Sequence, residues 1–465
     1  MSNLLKSFAS FYTQRIFINS FVNNARINIK FRQLRFYSDS NRINLPYSRS
    51  SSKQFKNLPE AVNALFTSSK SGTEFSTVQL TQFEQLLSEA PKPLDMVSFS
   101  KCLYSFRIYK SVDVNKIILN LARQCSKLKQ SFGSQAVGNT LYGLQNMSCD
   151  SSEVRALLKE LTKKIAECTE PLRAQHVGNS LYGLQNMTSD SSEVRALLKE
   201  LTKKIAECAE PLREQAVGNS LNGLQNMNSD SSEARALLKV LTKKIAECIE
   251  PLEAQHVGNA FYGIQWSNID MDLLPFVIRC FNQISEYERD CSFDDICTLY
   301  QSFTLLDENS NFTCSLKDFS LYEKFLEQKK RFLDLLNNHD KKGALEGLAM
   351  SKSEEKYFTL AKGVLSDSYP ELTFSSNEFL YGFEVDIIVR KQITNQTPRI
   401  LVIEVDGPSH RSDLTSKGFD KLRDAHLAKE YGIIVERWEL VVTDKLKSEG
   451  IIKKFRESFD RFVKQ

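Results

Sequence analysis

The chain has 465 residues, 41% of them apolar and 25% charged, an ordinary balance for a globular protein of two to four domains. Its net charge of +4 is unevenly spread, since residues 1–59 contain ten Lys and Arg with Asp39 as their single acid. That segment therefore carries +9 and the remainder −5, which excludes overall basicity as evidence that the folded body binds nucleic acid. No apolar run reaches the roughly 18 to 20 residues that span a bilayer, so we predict no membrane span.

The first residues have the composition of a mitochondrial targeting segment. Residues 1–38 contain six Lys or Arg, many Ser and Asn, and no acid. The stretch LLKSFASFY can form a basic amphipathic helix, and Arg35 in RQLRFYSDS is placed for cleavage between Tyr37 and Ser38. We therefore predict a targeting segment over 1–37, location in the mitochondrial matrix, and a flexible Ser- and Asn-rich linker over 38–75. The alternative is a disordered basic tail that binds RNA or anionic lipid nonspecifically.

The middle of the chain is repetitive, with a period of 40 residues. QAVGNTLYGLQNM begins at Gln135, QHVGNSLYGLQNM at Gln175, QAVGNSLNGLQNM at Gln215 and QHVGNAFYGIQWS at Gln255. Fainter copies flank these repeats: Leu103-Tyr104 lies 38 residues before Leu141-Tyr142, and Leu299-Tyr300 lies 38 residues after Phe261-Tyr262. We predict at least six units within an array over 76–350.

Each unit is predicted to form two helices. Val137, Leu141 and Leu144 share one face of the first helix, and Val154, Leu158, Leu161, Ile165 and Cys168 follow one stripe of the second. Asp150 or Ser151 can cap the second helix, with Glu153 placed for a capping box. Such pairs cannot bury their apolar faces alone, so they stack into an α-solenoid with one long surface.

The first helix of each unit is predicted to face single-stranded RNA. It is uncharged and offers Gln, Asn, Ser or Thr, and Tyr, which suit base edges and stacking. The alternative is that the tyrosines wedge adjacent helices apart and the asparagines serve the stack, while Gly138 and Gly143 permit close helix packing. The candidate RNA-binding residues of the array are Asn139, Tyr142, Asn146, Asn179, Tyr182, Asn186, Asn219, Asn226, Asn259 and Tyr262.

The cysteines give no sign of a zinc site, because the ten are scattered and form no C-x-x-C pair. Cys168, Cys208 and Cys248 recur at one position on the apolar stripe, which predicts buried thiols in a reducing compartment.

The repeats resemble the octotricopeptide repeats, a family of helical pairs in organellar RNA-binding proteins. The resemblance rests on the Q-x-V-G-N-x-L-Y-G-L-x-N-M helix and covers roughly residues 97–305. The family usually has tryptophan where Tyr142 stands, and the connection here is longer by two residues.

From about residue 353 the pattern changes to mixed helices and strands. A helix over 353–365 precedes strands in GFEVDIIV and RILVIEVDG, a helix over 415–431, a strand in GIIVERWEL and a last helix. Apolar runs in the middle strands predict burial on both faces of the sheet. Trp438 is predicted to belong to the core.

This segment, 351–465, resembles the RAP domain, a short module at the C-terminus of organellar RNA-binding proteins. The matching elements are FEVDIIV, ILVIEVDGPSH, KLRDAHL and RWEL. The resemblance implies a small α/β restriction-endonuclease-like fold, in which Asp386, Glu404 and Asp406 would hold a divalent metal, Mg or Mn, and act catalytically. The alternative is a fold kept for binding, with Asp386 and Glu404 paired to Lys421 or Arg423. His410, Lys421 and Arg423 are further candidates for RNA contact.

Three functions remain open at this level. The first is an RNA-binding protein of mitochondrial RNA metabolism, acting in processing, stability or translation, with no required cofactor and with RNA-processing or ribosomal proteins as further partners. The second is a metal-dependent endoribonuclease that uses the acidic cluster. The third is a helical scaffold that binds proteins.

Overall fold

The computed structural model describes residues 55–109, 111–265, 267, 272–284, 291, 293–308, 310–338, 352–381, 383–394, 397–406, 416–439 and 445–464. The predicted targeting segment and the first part of the predicted linker lie outside these residues. Within them, no helix is both long enough and apolar enough to cross a membrane.

Helices fill the described chain up to residue 338 and form two layers. The A helices pack on one another in chain order, and so do the B helices. The A helices are α1 (Leu58–Lys70), α3 (Met96–Ser105), α5 (Ser134–Tyr142), α7 (Ala174–Tyr182), α9 (Glu214–Asn222), α11 (Ala254–Gly263) and α13 (Phe293–Glu308). The B helices are α2 (Thr77–Ser88), α4 (Ser111–Lys127), α6 (Ser152–Ala166), α8 (Ser192–Ala206), α10 (Ser232–Ala246) and α12 (Leu274–Ile284), and α14 (Ser310–Asp318) and α15 (Tyr322–Asn338) close the array.

The array begins earlier than the sequence predicts. Helix α1 lies inside residues 38–75, where we expected a flexible linker, and that prediction is wrong for this stretch. Asn57 caps the helix by accepting a hydrogen bond from the backbone N–H of Glu60, and Val62 and Leu65 are buried. The Ser- and Asn-rich composition of the segment concealed an amphipathic helix.

The B helices of the regular repeats, α6, α8 and α10, begin at the predicted positions but without the predicted capping box. Ser151 is the N-cap of α6, and its side chain accepts a hydrogen bond from the N–H of Val154. Glu153 instead accepts a hydrogen bond from the Ser151 hydroxyl at 2.8 Å. The apolar stripe is buried as expected, and so are Cys168, Cys208 and Cys248.

Neighbouring A helices meet backbone to backbone at glycines. A Cβ atom on Gly143 would lie 2.0 Å from the carbonyl oxygen of Leu103, and one on Gly183 would lie 1.9 Å from that of Leu141. Real Cβ atoms do not approach so closely, so any larger residue would force two helices apart. The prediction that glycine serves close helix packing is confirmed here.

A small mixed sheet follows the array. Strands β1 (Leu372–Leu380), β2 (Phe383–Lys391), β3 (Arg399–Asp406) and β4 (Ile434–Glu439) lie side by side in chain order. Strand β2 pairs with β1 and with β3 in antiparallel fashion, and β4 is parallel to β3. The sequence did not predict β1, whose segment LTFSSNEFL is largely polar at its centre.

Helices cover both faces of the sheet. Helices α16 (Lys352–Ser368) and α18 (Lys445–Lys464) bury Trp438 on one face, which confirms its predicted core position. Helix α17 (Ser416–Tyr431) and the end of the array cover the other face. The hydroxyl groups of Tyr300 on α13 and Tyr431 on α17 lie 3.2 Å apart, so the α/β domain packs directly against the last A helix.

Gly183→Ala should lower the free energy of unfolding by at least about 2 kcal/mol, because the new methyl group meets a backbone carbonyl that cannot turn away. Chemical denaturation monitored by circular dichroism measures the change. Gly363→Ala on α16 is the control, since a Cβ there meets nothing within 4 Å and should stabilise by up to about 1 kcal/mol. Equal stability of Gly183→Ala and the parent would contradict the close contact.

Candidate nucleic-acid interface

Each A helix of the regular repeats exposes a single stripe. In α5 this stripe consists of Gln135, Asn139 and Tyr142, and the remaining residues of the helix are buried. The spacing of four and then three residues places all three side chains on one side of the helix. We call this stripe, with its equivalents in α7, α9 and α11, the A-face.

Tyrosines of the A-face stack on one another. The rings of Tyr104 and Tyr142 have centroids 5.8 Å apart at 26°, and those of Tyr142 and Tyr182 have centroids 5.9 Å apart at the same angle. We call this row the tyrosine ladder. The rings of Tyr142 and Tyr182 pack against rings of neighbouring units. The sequence had left this structural role open as the alternative to RNA contact. Tyr262 is 7% exposed and belongs to the core.

A second row of side chains joins successive units by hydrogen bonds. The amide nitrogens of Gln185 and Asn186 donate to the carbonyl oxygen of Gln145, at 3.1 and 2.8 Å. Asn146 donates to the carbonyl of Arg107 in the same manner, and Asn226 to that of Gln185. Asn146, Asn186 and Asn226, which the sequence predicts as RNA contacts, thus donate to backbone groups of the preceding unit, which gives them a structural role.

The asparagines in the middle of each A helix behave differently. Asn139, Asn179 and Asn219 are half-buried, and none of the hydrogen bonds among the described residues involves their side-chain amides. They recur every 40 residues beside the exposed Gln135, Gln175 and Gln215. Asn259 departs from this pattern, since it is 7% exposed and its Oδ1 atom is buried without a partner in the described chain.

The A-face is neutral along its length. Burial, with Arg173 nearby, lowers the pKa of His176 below its usual range, so this side chain stays uncharged at neutral pH. Arg173 and Arg213 are exposed at the N-terminal ends of α7 and α9, two residues before the exposed glutamines. Sequence reasoning missed this pair and the glutamines as individual candidates, although the four-residue spacing from each Gln to its Asn indicates the shared stripe.

Carboxylates that follow the B helix of the same unit occupy the N-terminal ends of α5 and α7. Glu170 Oε2 accepts a hydrogen bond from the N–H of Ser134 at 2.8 Å, and Glu210 Oε2 accepts one from the N–H of Ala174 at 3.0 Å. Helix N-termini attract anions, and here the chain itself supplies them. The arginines, rather than the helix ends, are thus the groups beside the A-face that can meet phosphates.

Asn186→Ala should destabilise the protein by about 1 to 2 kcal/mol, because it removes a buried donor to the Gln145 carbonyl. Asn179→Ala on helix α7 is the matched control, because its amide has no hydrogen-bond partner among the described residues, and it should change stability by less than about 0.5 kcal/mol. Thermal unfolding distinguishes them. Equal losses for the two variants would show that Asn179 is also structural.

The acidic residues of the sheet lie under α17. The register of β2 and β3 pairs Ile387 with Ile403, which places Asp386 beside Glu404 on one face. Asp386 Oδ2 accepts a hydrogen bond from the N–H of Val405 at 2.7 Å. The Asp406 side chain lies outside the described part of the molecule.

Glu404 is 7% exposed and forms an ion pair with Arg423, whose Nη2 lies 3.1 Å from Oε2. Burial raises the pKa of Glu404, and the Arg423 and Arg437 guanidinium groups oppose this shift. Asp424 joins the two arginines, with its Oδ2 2.6 Å from Arg437 Nε. The predicted alternative, a Glu404–Arg423 pair that supports the fold, is confirmed.

Two consequences follow for the site predictions. Arg423, a predicted RNA contact, is 7% exposed and lies against the sheet, where its guanidinium pairs with Glu404. The Arg423 guanidinium lies against Glu404, and among the residues whose side chains the structure describes, no group of three His, Cys, Asp or Glu could hold a metal ion. The Lys421 side chain and all of His410 lie outside the described residues.

Arg423→Met should lower stability by about 3 to 5 kcal/mol at pH 8, because it leaves the buried Glu404 carboxylate unpaired. Without the Arg423 guanidinium, the pKa of Glu404 rises further above its unfolded value. The fold is then destabilised as pH rises from the unfolded pKa to the folded pKa of this carboxyl, so the loss of stability should shrink as pH falls. Denaturation at pH 5 and pH 8 measures both effects. The double variant Glu404→Leu/Arg423→Met should recover most of the loss, and a double variant as unstable as Arg423→Met would contradict the pairing.

No protein-family model matches the chain, and no curated protein matches it.

Proposed function

We propose that the protein binds single-stranded RNA along the A-face and acts in mitochondrial RNA metabolism, in the processing, stability or translation of organellar transcripts. The observation that carries this is the row formed by Asn139, Asn179 and Asn219, whose amides have no hydrogen-bond partner in the described chain and recur once per unit. An amide carries donors and an acceptor, the complement of an unpaired base edge.

The exposed glutamines and the two arginines add to this proposal. Gln135, Gln175 and Gln215 widen the hydrogen-bonding stripe, while Arg173 and Arg213 provide positive charge beside it. Phosphate contacts supply affinity and base contacts supply selectivity, so a neutral stripe with charges at its edge suits a sequence-selective reader.

The resemblances support the same reading of the whole chain. An octotricopeptide-like array would select the RNA, and the RAP-like domain, packed on the last A helix, would add backbone contacts or recruit a processing or ribosomal protein. The paired and buried Glu404 favours a binding domain over a nuclease. We therefore assign no catalytic role to Asp386, Glu404 and Asp406.

The triple variant Asn139→Ala/Asn179→Ala/Asn219→Ala should weaken binding of single-stranded RNA on the order of 100-fold, if each amide contributes about 1 kcal/mol. Fluorescence anisotropy at physiological salt measures the affinity. The control Ser152→Ala/Ser192→Ala/Ser232→Ala changes three exposed neutral residues of the B helices and should bind as the parent does. RNA affinity that is lost equally in both triples, or in neither, would contradict an A-face interface.

Deleting residues 1–37 should leave the protein in the cytosol, because the basic, acid-free segment would be lost. Fluorescence microscopy of a C-terminal fusion reports the location. Deletion of residues 39–54 is the control and should leave import unchanged, whereas import without 1–37 would contradict the targeting assignment.

A further inference from the structure

Cations replace amides on the A helices that precede the A-face. Lys101 on α3 stands at the position of Asn139 on α5, and Tyr104 stands at that of Tyr142. Asn63 occupies the same position on the preceding A helix, α1, and the Lys101 ammonium donates a hydrogen bond to its Oδ1 atom at 3.3 Å. The stripe of the regular repeats therefore continues across α3 and α1, but its chemistry changes from neutral to positive.

Positive charges at this end of the array lie over aromatic rings. Lys70 Nζ is 4.5 Å and Lys101 Nζ is 5.6 Å from the centroid of the Phe66 ring. The guanidinium carbon of Arg107 lies 4.3 Å from the centroid of the Tyr104 ring, and the centroids of the Tyr104 and Phe66 rings are 5.7 Å apart. Aromatic faces attract cations, so the two rings gather three positive charges in one place. We call these five side chains the basic end.

The three cations have no carboxylate partner among the described residues. The hydrogen bonds of Arg107 are made to neutral groups, because its guanidinium donates to the carbonyl oxygen of Ser69 at 2.6 Å and to the Ser69 hydroxyl at 3.1 Å. These bonds fix the guanidinium without neutralising it. Lys163 on the B side, by contrast, pairs with Glu160. Like charges repel, so three cations held together without an acid favour an anion as their ligand.

We propose that the basic end binds a phosphate group of single-stranded RNA whose bases lie along the A-face. The inference rests on the proposed function and deepens it, because it assigns a charged contact to the stripe itself. Lys70 is exposed and the other four side chains are half-buried, so a phosphate can reach the ammonium groups from solvent. A 5′-terminal phosphate and a backbone phosphate offer the same oxygens to these cations.

The position of the basic end gives the contact a role in selectivity. Tyr104 belongs both to the basic end and to the tyrosine ladder, so the phosphate is held at one end of the row of half-buried asparagines. Phosphate contacts fix the register of a nucleic acid on a protein, and base contacts then read it. A strand anchored at the basic end therefore presents its bases to Asn139, Asn179 and Asn219 in one register.

The double variant Lys70→Gln/Lys101→Asn removes both ammonium groups and gives position 101 the side chain of the regular repeats. The full-length protein is titrated with mixed-sequence RNA oligonucleotides that carry either a 5′-hydroxyl or a 5′-phosphate group, over a series of salt concentrations. Affinity should fall by about tenfold, and the slope of log K against log salt should become shallower by about 0.7 for each phosphate contact removed. Equal losses for the two RNAs identify a backbone phosphate, and a loss confined to the 5′-phosphorylated RNA identifies the terminal one.

Two further double variants are the controls, and thermal melting checks that each is folded. Lys70→Arg/Lys101→Arg keeps both charges and should bind as the parent does. Lys159→Gln/Lys199→Gln removes two exposed charges from the B helices and should leave the salt slope unchanged.

Parent-like affinity and slope for Lys70→Gln/Lys101→Asn on both RNAs, or losses equal to those of Lys159→Gln/Lys199→Gln, would overturn the basic end. If the asparagine triple variant still loses affinity in that case, RNA binding by the A-face stands without it. A parent protein that binds neither RNA would overturn both proposals.

Discussion

The close approach of neighbouring A helices is the constraint on which the rest of the array depends. Gly143, Gly183, Gly223 and Gly263 each face a carbonyl oxygen that a Cβ atom would meet within 2.0 Å. Only at this separation can tyrosine rings of successive units stack and can amides such as Asn186 reach the carbonyl of the preceding unit. The ladder and the amide row are therefore consequences of glycine at one repeated position.

The same constraint makes the two faces of the array chemically different. The A helices meet through glycine and small side chains and leave a narrow neutral stripe to solvent. The B helices meet through Leu and Ile side chains and expose charged pairs such as Lys163 with Glu160 at 2.8 Å. Exposed pairs of this kind contribute little to stability, but they balance the charge of that surface. Among the described residues of the array, the buried side-chain atoms without a hydrogen-bond partner lie on the A helices or directly after them.

Part of the fold and of the candidate site could be predicted from the sequence. Hydrophobic periodicity placed the repeated helices, and the position of Cys168 on an apolar stripe predicted its burial. The roles of Asn139 and Asn146 could not be separated, since both lie on one stripe and the deciding partner is a carbonyl 39 residues away. For the same reason Arg423 looked exposed, because its partner Glu404 is brought to it by the sheet. Helix α1 and strand β1 were missed because polar residues dilute their patterns.

Photocrosslinking of bound RNA, followed by mass spectrometric mapping of the adducts, tests the central claim most directly. The account predicts adducts in peptides that contain the A helices, above all α5, α7 and α9, with few in α6, α8 and α10. Adducts confined to the B helices or to the C-terminal α/β domain would contradict it.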